Sequence, residues 1–113
     1  MSRHKQQFKQ SKSDTVPDEA KQFIKTLRQN RHELAGRYNV NYLGLFGSYI
    51  RNEQTVGSDL DILVEFDKTP SLFQFIRLEN DLGDLLGVKV DLVMKDSLKP
   101  AIGKCILDEV VLV

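Results

Sequence analysis

The chain has 113 residues, enough for one domain that buries its own core without covalent staples. Sixteen Lys and Arg offset sixteen Asp and Glu, so net charge singles out no partner class, and the single cysteine, Cys105, excludes an internal disulfide. No apolar run approaches the roughly 20 residues of a membrane span, and the charged N-terminus lacks the apolar core of a signal peptide; a cytoplasmic location is expected.

Residues 1–14 are rich in Lys, Gln and Ser and nearly free of apolar side chains, so they cannot offset their ordering entropy. They are expected to form a flexible basic arm, with the folded domain over residues 15–113. Charge follows the same division: residues 1–37 hold nine bases and four acids, residues 38–113 seven bases and twelve acids. An acidic half suits cation binding, and a basic half could attract a polyanion or an acidic protein.

Thr15, Val16, Pro17 and Asp18 read as a helix start. Ala20, Phe23, Ile24, Leu27, Leu34 and Tyr38 follow at helical spacing, which predicts an amphipathic helix over about 18–37, with Asn30 as a candidate break and Gly36 and Asn39 as stop signals. Residues 41–46 read as a buried strand. Residues 47–58 form a polar connection with room for a short helical turn. Residues 59–66 alternate strictly and make the clearest strand. Ser71 can cap a second helix whose apolar positions include Leu72, Phe75, Ile76, Leu82, Leu85 and Leu86, and Gly87 ends it. A third strand over 88–94, a short helix after Pro100 and an apolar stretch from Val110 to Val113 complete the chain. The expected fold is α/β of the α+β type: a small mixed sheet of three or four strands covered by helices.

Three features on this scaffold carry chemistry. Asp59 and Asp61, two residues apart on a strand, point to one face, while Leu60, Ile62, Val64 and Phe66 point to the other. Two carboxylates so placed are hard-oxygen ligands of the kind Mg²⁺ takes together with phosphates and water. Leu45-Phe46-Gly47-Ser48 runs an apolar strand into a glycine, where a phosphate can approach the backbone and bind the following amides and the serine hydroxyl. Asp91 lies between Val90 and Leu92, on the face opposite to those core residues. Taken singly, each has a plainer explanation: a solvated strand start, an ordinary turn, a solvent-facing acid beside Lys89. Connectivity joins them. If the first two strands pair antiparallel, Gly47-Ser48 comes beside Asp59 and Asp61; a parallel pairing would put them at opposite ends of the sheet. If the third strand borders the second, Asp91 completes a site able to hold two Mg²⁺ ions.

Gly47-Ser48, ten residues and Asp59-Leu60-Asp61 resemble the signature of the polymerase-β-like nucleotidyltransferases, and Asp91 in Val-Asp-Leu-Val looks like their third carboxylate. Leu43-Gly-Leu-Phe-Gly-Ser-Tyr-Ile-Arg with Ser58-Asp-Leu-Asp-Ile-Leu-Val is similar to the minimal nucleotidyltransferases, or MNT proteins, over about residues 18–113. The resemblance implies a nucleotidyltransferase fold with the first two strands antiparallel. It also implies metal binding by Asp59 and Asp61, acceptor activation by Asp91, which joins the metal ligands, and triphosphate binding by Gly47 and Ser48. Arg51 falls where such proteins often carry Ala-Arg-Gly and is a candidate phosphate ligand, although this chain reads Ile50-Arg51-Asn52 there. The resemblance implies ATP as substrate and, as partner, a HEPN-family ribonuclease toxin that the MNT antitoxin silences by moving AMP to a tyrosine. A silent antitoxin acting by contact alone, a small-molecule (antibiotic-type) nucleotidyltransferase and a nucleic-acid-binding domain are the alternatives. The last is weak, since the basic arm has one aromatic residue, Phe8. His4 and His32 lack metal-ligand spacing, and Cys105 reads as a core thiol on a short apolar helix. Exposed Phe73 is a candidate partner contact.

Overall fold

The computed structural model describes residues 16–113. The expected basic arm, residues 1–14, lies outside the described residues. Helix α1 (Asp18–Gln29) follows Pro17, carries Asp18 and Glu19 in its first turn and buries Ala20, Ile24 and Leu27. Acids there complement the positive end of the helix dipole. The break falls at Asn30, whose side-chain amide donates to the Thr26 carbonyl at 2.8 Å. Helix α2 (Arg31–Tyr38) then follows. Gly36 sits inside α2, and Asn39, at φ 61°, takes the left-handed position that ends it.

Strand β1 (Val40–Phe46) leads into the one-turn helix α3 (Ser48–Arg51), and strand β2 (Leu60–Phe66) follows a turn in which Ser58 Oγ accepts from the Thr55 amide at 2.9 Å. Helix α4 (Leu72–Leu86) opens with a reciprocal cap between Ser71 and Gln74 and closes on Gly87, at φ 70°. Strand β3 (Val90–Met94), a 3₁₀ turn (Lys95–Ser97), helix α5 (Pro100–Glu109) and strand β4 (Val111–Leu112) complete the order. Among the described residues no helix is long and apolar enough to cross a membrane.

The four strands make one mixed sheet in the order β3-β2-β1-β4. β1 runs antiparallel to both β2 and β4, and β2 runs parallel to β3. The short connection between the first two strands therefore closes as an antiparallel pair. Strand alternation splits the core into two layers. Leu43, Leu45, Leu60, Ile62, Val64, Val90 and Leu92 meet α1, α2 and α4 on one face. Phe46, Leu63 and Val110 meet Ile106 of α5 and Leu98 on the other. The Tyr38 hydroxyl donates to Asp81 and ties α2 to α4.

Several expectations need correction. The second strand begins at Leu60, so Asp59 immediately precedes it, and the third begins at Val90. Leu72, Ile76 and Leu85 are exposed with Phe73, because α4 seats a single stripe formed by Leu78 and Leu82, flanked by Phe75 and Leu86. Cys105 is exposed. Its neighbour Ile106 faces the sheet, and one residue of rotation, roughly 100°, carries the thiol away.

α5 and β4 approach β1 closely because Gly44 has no side chain: a Cβ there would lie 2.4 Å from Val110 Cγ2 and 3.4 Å from the Val111 carbonyl oxygen. Gly44→Ala should cost about 1–3 kcal/mol in chemical denaturation. Combined with Val110→Ala, it should cost less than the sum of the two single changes, since the second removes the clash.

Candidate active site

The site forms where β1 ends and β2 and β3 begin. The register sets Phe46 opposite Asp61 on one side and Asp91 opposite Asp61 on the other. Asp61 and Asp91, direct partners on parallel strands, therefore share a sheet face. That is the face of Leu63 and Val93, the side that α5 covers. Asp59 reaches the same cluster from the residue before Leu60.

Gly47 determines how close the chain comes. At φ 85° it holds a backbone conformation that L side chains rarely adopt, and a Cβ would stand 2.0 Å from Asp61 Oδ2. Ser48 follows as the first residue of α3. The turn is anchored by the Ile50 and Arg51 amides, which donate to the Gly47 carbonyl at 3.0 and 3.1 Å, and by Tyr49, buried against Phe23 with ring centroids 5.5 Å apart. The Tyr49 hydroxyl donates to the Ser58 carbonyl at 3.5 Å, linking α3 to the segment that carries Asp59. Its pKa lies above the ordinary value, through burial first and then the negative charges of Glu19 and Asp59.

The carboxylates feel one another. Partial burial and then the charges of Asp91 and Asp59 push the Asp61 pKa up to about 6, a hydrogen bond with Asp91 adds to the effect, and the Arg51 guanidinium opposes it. Asp91 itself is exposed. The structure thus gathers Gly47, Asp59, Asp61, Asp91 and Arg51 at one place. Arg51 is doubly paired: its Nε donates to Glu53 at 3.0 Å and its Nη1 to Glu109 at 2.7 Å. Glu109 also accepts from the Gly47 amide at 2.6 Å.

The donor set is carboxylate oxygen throughout, which fits a hard divalent cation. Among the described residues no group of three or more His, Cys, Asp or Glu is arranged to hold a metal ion by itself. Mg²⁺ ordinarily completes an octahedron with water and phosphate oxygens around one or two carboxylates.

Residues 18–113 match the family described as nucleotidyltransferase domain. This chain belongs to that family. Its relatives place it in the minimal, MNT-type branch. It is 53% identical over 87 residues to the protein adenylyltransferase MntA of Thermococcus cleftensis, spanning 77% of this chain and 88% of that one. A Methanocaldococcus jannaschii protein assigned as a protein adenylyltransferase is 50% identical over 88 residues, across 77% of this chain and 90% of its own. Among solved structures, a minimal nucleotidyltransferase superposes with a TM-score of 0.63 at 36% identity, covering 78% of this chain and 93% of that one. A toxin–antitoxin complex with AMP-PNP gives 0.61 at 28% identity, covering 85% and 72%. The mixed sheet with its flanking helices is thus the nucleotidyltransferase fold.

Glu109 is the site residue that sequence reasoning misses. An acid at the end of a short helix carries no motif. Its position beside Gly47 follows only from the pairing of β4 with β1, and β4 has just two residues.

Because its pKa in the fold lies above the usual 3.8, protonated Asp61 is the form the fold favours. For the protein free of metal and nucleotide, the stability this group contributes is fully present below pH about 4 and is lost as pH rises through about 6. Asp61→Asn should therefore melt above the unsubstituted chain at pH 7–8. The difference should vanish as pH falls below about 4, as followed by circular dichroism.

Proposed function

We propose that the chain moves AMP from ATP onto a tyrosine hydroxyl of a HEPN-family ribonuclease partner and so acts as its antitoxin. The observation that carries this is the pairing of Asp61 with Asp91, with the charge of Asp59 acting on Asp61, beside a glycine held at φ 85°, in a chain 53% identical over 87 residues to a protein adenylyltransferase. Support for the partner comes from a neighbour with a TM-score of 0.54 and 26% identity, a tri-AMPylated Shewanella oneidensis HEPN toxin in complex with its MNT antitoxin, matched over 83% of this chain and 67% of that one.

In this reading the Gly47 amide, Ser48 and Arg51 hold the triphosphate. Asp59, Asp61 and Asp91 hold Mg²⁺, with two ions as the expected number. When bound, the metal neutralises phosphate charge and lowers the pKa of the attacking hydroxyl. The tyrosine oxygen forms a bond to the α-phosphorus in line with the departing oxygen of pyrophosphate. The Pα–O bond to pyrophosphate breaks, and the hydroxyl proton passes to Asp91. Asp91 suits the acceptor side because it lies on an outer strand and is exposed, whereas Asp61 is partly buried beside Gly47. Asp61, charged against two other acids, holds a proton more readily than a lone carboxylate until a cation offsets the repulsion.

Asp59→Asn and Asp61→Asn should each lower labelled-AMP incorporation into the co-purified partner by about 10²-fold or more while the circular dichroism spectrum is retained. Asp91→Asn should impair transfer but spare ATP binding. Wild-type incorporation by folded Asp61→Asn would refute the metal-site assignment. Partner neutralisation by all three inactive variants would replace catalysis with simple masking.

A further inference from the structure

The side chain that fills the cradle formed by the Gly47 amide and Arg51 is itself an anion. Oε2 of Glu109 accepts from the Gly47 amide at 2.6 Å, and Oε1 accepts from Arg51 Nη1 at 2.7 Å. One carboxylate thus spans a main-chain donor and a guanidinium, as a phosphate's two oxygens would. The Glu109 side chain is only 22% exposed, unlike the 64% of Glu53 on the other flank of Arg51.

The sheet delivers this contact. β4 pairs with β1 as Gly44 with Leu112 and Leu45 with Val111. Carried on by two residues, the same register sets Glu109 opposite Gly47. The Val113 amide donates to the Leu43 carbonyl at 3.0 Å, and the Leu112 and Val113 carbonyls accept from Arg28 and Arg31 at 3.5 and 3.3 Å. The backbone that carries Glu109 is therefore held beside the cradle, while its side chain remains free to rotate. It is also the last residue of α5, where the negative end of the helix dipole disfavours an acid. The Gly47 amide and Arg51 offset that penalty, so the carboxylate is stable there while the two donors stay free of other anions.

We propose that Glu109 is a built-in competitor of the nucleotide: its carboxylate occupies the Gly47 and Arg51 donors in the nucleotide-free enzyme and swings out when a nucleoside triphosphate binds. This deepens the proposed function and rests on its assignment of Gly47 and Arg51 to phosphate. One amide hydrogen cannot serve both anions fully, and a triphosphate beside a retained carboxylate would meet a like charge. A polyphosphate carrying its cation has the charge to displace Glu109; a lone phosphate has much less.

The test is ATP affinity of the full chain with Mg²⁺, by isothermal titration calorimetry, for the unsubstituted protein, Glu109→Gln, Arg51→Ala and the double variant. Circular dichroism checks that each is folded. Glu109→Gln keeps the side chain's size and removes its charge, and should tighten ATP binding roughly tenfold. Arg51→Ala should weaken binding, and in its background the Glu109→Gln gain should shrink, because the carboxylate has lost its charged anchor. If Glu109→Gln binds ATP no tighter while Arg51→Ala still weakens it, the competitor role is overturned and the phosphate role stands. If Arg51→Ala binds ATP as well as the unsubstituted chain, the phosphate role of Arg51 falls and the competitor with it. A crystal structure of the unsubstituted chain with AMP-PNP decides without any variant. A phosphate oxygen on the Gly47 amide, with Glu109 withdrawn, supports the proposal; Glu109 still on that amide beside bound nucleotide overturns it.

Discussion

The approach of Asp61 to Gly47 is the constraint on which the site depends. A Cβ at residue 47 would stand 2.0 Å from Asp61 Oδ2 and displace that carboxylate, and the φ of 85° favours glycine independently. The contact exists because β1 and β2 pair antiparallel with Phe46 opposite Asp61, so the strand that ends in the glycine turn finishes where the acidic strand begins. The large aliphatic layer on the opposite sheet face holds both strands in this register, since a slip of one residue would turn Ile62 and Val64 out of the core.

The second layer is thinner and has a different task. Phe46, Leu63 and Val110, with Ile106 and Leu98, fix α5 over the face that bears the acids. α5 returns toward the carboxylate end and passes directly into β4, so its last side chain is committed to the Gly47 turn by strand pairing. Gly44 makes this possible nearby, where a Cβ would meet the Val110 side chain. Two glycines, one in β1 and one just past its end, thus perform related tasks: one admits the covering segment, the other admits a carboxylate.

Much of this was legible in the chain. The Gly47-Ser48 to Asp59-Asp61 spacing implied the turn and the paired strands, and Asp91 between two core residues gave its face. The break at Asn30 and the cap at Ser71 were readable because each depends on side chains near in sequence. What escaped depends on distant partners. Leu72, Ile76 and Leu85 fit a helical stripe as well as Leu78 and Leu82 do, and only the orientation of α4 on the sheet separates buried from exposed. Cys105 is apolar by type but sits beside, not on, the inward line of α5. Glu109 acquires meaning only from a two-residue strand paired with β1, a signal too short to register as periodicity.

The placement of Asp91 bears on competition from solvent. β3 is an edge strand and its Asp91 is exposed, so among the described residues this side of the site is open to solvent. A hydroxyl on a large, rigid molecule can reach such a position, but so can water, present at far higher concentration. In the proposed reaction the acceptor must therefore act as a seal as well as a substrate, covering the open edge while it presents its oxygen. Fidelity between protein modification and wasteful hydrolysis of ATP would then belong to the complex as a whole.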